Sequence, residues 1–227
     1  MPTEPEPDAT LADDPRVLQI LSTEHWGLLT ARSLAYNEAF TRASMFLTFL
    51  SMSFVAMALL TQAMGFAHDF FVVAAIVLGF DFVIGIVTLV RIAGTSLDDL
   101  RATQGMNRIR HGYVRLAPQV EQFLVTGTHD DVPGVIKTYG YTGPSTFLGD
   151  LGYGLSTSQG MVSLIVAMVG GVFAAVLTLA LGGTGWLPLV AAATTALVVI
   201  VIEARWAFQS VARNQASLEV RFPSPPG

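Results

Sequence analysis

The sequence predicts an all-α, polytopic membrane protein built from two transmembrane helical hairpins, with long cytoplasmic helical extensions. Three observations predict it. Apolar residues make up 52% of the chain against 13% charged, well under the quarter charged of a typical soluble domain. The excess gathers in four stretches, Ala43–Met64, Phe70–Val90, Met161–Leu181 and Leu187–Ile202, each near the roughly 20 residues that cross a bilayer as a helix. All twelve Lys and Arg residues lie before the first stretch, between the second and third, or after the last. By the positive-inside rule both termini and the middle segment then face the cytoplasm of a multi-pass plasma-membrane protein.

Residues 1–13 form an acidic, proline-rich leader, expected to be disordered. They lack the basic start and early apolar run of a cleavable signal. Residues 14–126 form the first hairpin and its extensions. Asp14 and Pro15 suit an N-cap and first helical position, and no breaker follows before Gly65. One long helix is therefore expected, with Leu18, Leu21, Leu28 and Leu29 along one side of its cytoplasmic part. Gly65 to Asp69 makes a tight outer turn. The second helix returns and continues to about Val125, with Met106, Ile109, Tyr113, Leu116, Val120 and Phe123 at helical spacing. Pro118 should kink it or start a new helix.

An antiparallel hairpin folded near residue 66 places certain residues level. Arg42 falls opposite Arg91, Glu24 opposite Arg108 and Arg110, and Arg32 near Asp98. Residues 127–159 form a connector rich in Gly, Ser/Thr and aromatics, including Tyr139, Tyr141, Phe147 and Tyr153. It either packs beneath the bundle or lies along the inner membrane surface. Residues 160–214 form the second hairpin, turning at Gly182–Pro188, and 215–227 form a C-terminal tail.

Composition also excludes functions. With no cysteine, disulfides, thiol catalysis and Cys-based metal sites are ruled out. There is no concentrated basic patch for nucleic acid. Motifs for serine, metal-dependent or P-loop chemistry are absent, so no enzyme activity, metal or cofactor is expected.

Asp81 is the sharpest single residue, since it lies near the middle of the second stretch. An Asp at that depth costs about 2.5–3.5 kcal/mol on insertion scales. The hairpin puts it level with Ser51 and Ser53. It reads either as a proton- or cation-handling carboxylate or as hydrogen-bonded glue between helices. A second set, Arg101, Gln104, Arg108, His111 and Arg115, follows a three-and-four spacing along one helical face. Guanidiniums in a row suit phosphate, from lipid or nucleotide; a solvated face partly paired with Glu24 gives the same pattern. His129-Asp130-Asp131 carries metal-ligand side chains but reads better as a polar turn. Ala167, Gly171 and Ala175, with Gly170 beside them, make a small-residue face, and Ala191, Ala192, Thr195 and Ala196 a match for it. Glu203 beside Arg205 and Trp206 reads as an interfacial ion pair with an aromatic anchor.

At Asn107-Arg108-Ile109-Arg110-His111 and Arg32-Ser33-Leu34-Ala35-Tyr36-Asn37-Glu38 the chain resembles a group of uncharacterised bacterial four-span integral membrane proteins. The N-terminal helix, tight hairpin and long cytoplasmic helix also look like the two-span SLATT-type effectors of bacterial conflict systems. That likeness implies pore formation or membrane perturbation on a cytoplasmic signal. The second hairpin is additional to the SLATT layout. The resulting expectation is a self-associating channel or membrane effector gated from the cytoplasm. Its partners would be the lipid bilayer, further copies of the chain, and a cytoplasmic protein or anionic ligand. A non-catalytic scaffold or accessory subunit, and a small proton-coupled transporter, are the alternatives.

Overall fold

The structure, a computed structural model, describes residues 15–140, 149, 152, 154, 157–217 and 219–225. Among them every regular element is helical. In order these are α1 (Pro15–Met64), α2 (His68–Leu116), a 3-10 turn (Pro118–Phe123), α3 (Val132–Tyr139), α4 (Ser158–Ala180) and α5 (Leu187–Ser217). Four of them, α1, α2, α4 and α5, are long and apolar enough to cross a membrane. The expected leader, the Asp14 cap, and Tyr141, Phe147 and Tyr153 of the connector lie outside the described residues.

Helix ends follow local chemistry. α1 stops where Gly65 takes φ +62°, a left-handed conformation that costs glycine little. α2 ends at Leu116 and the chain restarts as a 3-10 turn with Pro118 at its first position; it does not continue helically to Val125. Proline's ring and missing N–H make this a restart point. α3 is capped by Asp131, whose side chain accepts from the Gly134 N–H, and closed by Gly140 in the left-handed region. α4 begins under Thr157, which accepts from the Gly160 N–H.

The chain divides into two compact units. One, the membrane unit, holds Asn37–Thr95 and Ser145–Arg213; the other, the polar unit, holds Met1–Tyr36, Ser96–Pro144 and Asn214–Gly227. In the membrane unit Ala39, Ala43, Phe46 and Leu50 of α1 pack with Leu89 and Ile92 of α2 and Val162, Val166 and Val169 of α4. A second cluster joins Met57 to Phe70, Ala74 and Leu78. Small residues set the helix spacing. A Cβ on Gly85 would lie 2.8 Å from Val166, one on Gly170 2.6 Å from Phe82, and one on Gly171 2.9 Å from the Ala192 carbonyl. The expected contact of Gly171 with the Ala192–Ala196 face is therefore present, with Ala196 also within reach.

In the polar unit α1 lies along α2 through Leu21 near Gly112, His25 near Tyr113 and Leu28 against Gly105. Leu18 and Leu29, expected on the same side, are exposed. Around a 3.6-residue turn both are displaced by about 50–70° to one side of the line through Leu21, His25, Leu28 and Arg32.

Candidate functional site

Within the membrane unit the inner face of α2 repeats at three and four residues: Ala74, Leu78, Asp81, Gly85, Leu89 and Ile92 are buried. Asp81 therefore falls on the packed face and is only 2% exposed. Ser53, on the matching face of α1, donates to Asp81 Oδ1 at 3.0 Å. Ser51 does not join them. It is exposed and returns its hydroxyl to the Leu47 carbonyl at 2.7 Å. Two residues of helix separate it from Ser53 by about 200°, so only one of the two serines can face α2. Asp81 Oδ2 is buried without a hydrogen-bond partner.

A second acid repeats this arrangement. Ser163 Oγ on α4 donates to Glu203 Oε2 on α5, and Glu203 Oε1 is likewise buried and unpartnered. The expected ion pair of Glu203 with Arg205 is thus replaced by a serine bond across helices. The direction of a helical side chain is set by its phase, and two residues apart, as Glu203 and Arg205 are, side chains diverge by about 200°. Arg42 and Arg91 do meet, through a residue the sequence left unassigned: Glu38 accepts from Arg42 Nε at 2.9 Å and Arg91 Nε at 2.8 Å.

The polar unit answers what covers the basic stripe. Arg101 is exposed and reaches Asp98 at 3.5 Å. Gln104 Nε2 donates to the Asp130 carbonyl at 2.9 Å, and Arg108 Nε to Asp130 Oδ2 at 2.7 Å. Arg108 also donates to the Glu219 carbonyl. His111 stacks on Phe222, with ring centroids 4.2 Å apart and planes at 18°. Arg115 is half-buried. The middle of the stripe is therefore neither a solvated face nor an open phosphate cradle. Arg108 pairs with Asp130 in place of the expected Glu24, and segment 127–131 and the tail lie over it.

Asn107, flanking the stripe, is fully buried. Its amide donates to the His129 carbonyl at 2.8 Å and its oxygen accepts from Thr138 at 2.8 Å and Arg110 at 2.9 Å. His129 and Asp130 lie in irregular backbone and Asp131 is the extended N-cap of α3, rather than a turn, and the two carboxylates are occupied by main-chain donors. Asp130 accepts from the Arg221 and Phe222 N–H groups, and Asp131 from those of Gly134 and Ser224. Burial alone would push both carboxyls up, but the N–H donors hold both below the ordinary carboxylate value, with Arg108 adding to the effect at Asp130 and the Ser224 hydroxyl at Asp131.

A further polar knot forms at Asp99, one residue beyond the position expected for Arg32. Arg32 Nε reaches Asp99 Oδ1 at 2.6 Å, and Tyr139 donates to Oδ2 at 2.6 Å. The Arg32 guanidinium lies over the Tyr139 ring at 5.3 Å. Burial, and then the hydrogen bond to Asp99, raise the Tyr139 phenol. The one-residue error at Asp98 follows from a hairpin register counted without knowing the helix phase.

The apolar spans also leave an open groove of about 490 Å³ between α2 and α4, lined by Val72, Ile76, Phe80, Phe173 and Leu177. No protein-family model, curated protein or solved structure matches this chain.

Proposed function

We propose that the chain is a self-associating channel or membrane effector of the plasma membrane, with both termini cytoplasmic and gating from that side. The observation that carries this reading is Asp81: a buried acid on a membrane-spanning face with one oxygen bonded to Ser53 and the other without a partner. A carboxyl whose role is only to join two helices has no need of a second, vacant oxygen. One that exchanges a proton or passes a cation does. Glu203 with Ser163 gives the same unit a second such group. The reading calls for several copies around an axis, so that these carboxyls can line a shared path. The orientation is supported by the absence of Lys and Arg from the links 65–69 and 182–186.

The test is ion and proton flux in liposomes containing the full chain, with the oligomeric mass measured in nanodiscs. A closed oligomer that conducts, and loses conduction in Asp81→Asn, is the expected result. Asparagine keeps the Ser53 bond and removes the ionisable oxygen. A monomer that passes neither ions nor protons, or unchanged flux in Asp81→Asn, would overturn the proposal and leave the scaffold reading.

A further inference from the structure

The contacts of the C-terminal segment are of a different kind from ordinary tail packing. Asp130 accepts from two successive main-chain donors, Arg221 N–H at 3.0 Å and Phe222 N–H at 2.8 Å, and its own N–H donates to the Phe222 carbonyl at 3.2 Å. Asp131 accepts from both the N–H and the hydroxyl of Ser224, at 2.7 and 2.9 Å. Between these anchors Phe222 lies flat on His111. Pro223, which has no N–H to satisfy, occupies the step between them.

We propose that Gln104, Asn107, Arg108 and His111 with His129–Asp131 form a peptide-binding site, that its ligand is an extended aromatic–Pro–Ser segment, and that residues 219–225 are its exchangeable occupant. Two features separate this from a permanent structural contact. The receiving side is built independently of the tail. Gln104 and Asn107 hold the Asp130 and His129 carbonyls through bonds in which the tail takes no part. The occupant, by contrast, is superficial: Glu219, Val220, Arg221, Pro223 and Pro225 are exposed. Few buried apolar contacts mean a segment that opens at low cost. Releasing the tail takes two main-chain donors from the Asp130 carboxylate, and a second peptide of the same kind restores them. The site is therefore best satisfied by one peptide or another. Aromatic stacking, an amide-reading carboxylate and a serine-reading carboxylate define the ligand. This inference does not depend on ion conduction.

The probe is a fluorescent peptide of residues 219–225, titrated onto the full chain and onto a full chain carrying Phe222→Ala and Ser224→Ala, which weaken the resident tail. Both substitutions lie in the tail and spare the receiving side. The peptide is expected to bind the variant, and to bind the unaltered chain at least about tenfold more weakly, because a tethered competitor acts at roughly millimolar effective concentration. N-methylation of the peptide's phenylalanine amide should cost about tenfold, the loss of a hydrogen bond to a charged group. It needs no change in the protein. Failure of the peptide to bind the variant would overturn the proposal. So would equal binding of the N-methylated peptide, or equal affinity for both chains.

Discussion

The two units bury acids in opposite ways. In the polar unit Asp99 and Asp130 have both oxygens occupied, Asp99 by Arg32 and Tyr139 and Asp130 by Arg108 and two main-chain N–H groups. In the membrane unit Asp81 and Glu203 each have one oxygen bonded to a serine and one buried with none. A saturated carboxylate bonded to a guanidinium is fixed in place. A half-used carboxyl bonded to one hydroxyl can gain or lose a proton on its vacant oxygen without breaking a network. The first pattern stabilises a structure; the second leaves a group available.

If that contrast is right, the largest effect comes from breaking a saturated acid. Asp99→Ala strands Arg32 and the Tyr139 hydroxyl in a partly buried site. Removing one partner of a buried pair costs about 3–5 kcal/mol, and the partial exposure of Arg32 places the expected loss near the bottom of that range. Unfolding in mixed micelles should report it, as should faster hydrogen exchange across α3. A loss no greater than that of Asp81→Ala would erase the distinction between the units.

Acid should next separate them. Asp130 and Asp131 both titrate below the ordinary carboxylate value in the folded chain. A depressed folded value means that their contribution is complete above the ordinary range and is lost as pH falls through the folded values. Tail docking should accordingly be flat from about pH 5 to 8 and fail below about pH 4. The chain has no cysteine, so a spin-label pair introduced at Thr128 and Pro225 would follow it cleanly. Release of the tail between pH 5 and 7 would mean that the histidines near Phe222, not the two aspartates, hold it.

These differences in legibility follow from what a sequence encodes locally. The four spans, the turn at Gly65 and the restart at Pro118 were readable, because composition, glycine and proline act on their own neighbourhoods. Asp81 and Ser53 were readable as a pair, since a short turn fixes the hairpin register to within about a helical turn. Ser51 was misplaced for the same reason: level is set by counting, but facing is set by phase. The stripe from Gln104 to His111 was visible as a pattern, yet a row of donors looks the same whether water, phosphate or main chain answers it. Its partners lie from 22 residues away, at Asp130, to 111 away, at Glu219, and no periodicity links them. Asp99 with Tyr139 and Ser163 with Glu203 were missed on the same ground.

A smaller effect sharpens the membrane side. Ser53→Ala removes the only hydrogen bond given to Asp81 among the described residues. Hydrogen bonds between membrane helices average about 0.6 kcal/mol in double-mutant cycles. A loss of that size is expected, because the alternative conformations of a membrane acid find partners too. A loss of several kcal/mol would mean that Asp81 is fixed structural glue, like Asp99.

The smallest stability change should come from the neutral replacements Asp81→Asn and Glu203→Gln. Each keeps an oxygen for its serine and puts an amide where the vacant oxygen lies. If the carboxyls are already uncharged in the membrane, little electrostatic energy is lost, and the change should stay under the roughly 0.6 kcal/mol of one interhelical hydrogen bond. The double substitution should be additive, since each acid has its own serine. Stabilisation by several kcal/mol would instead show that one acid is charged and strained in the resting protein. That outcome would identify a cation, rather than a proton, as the species the vacant oxygens receive.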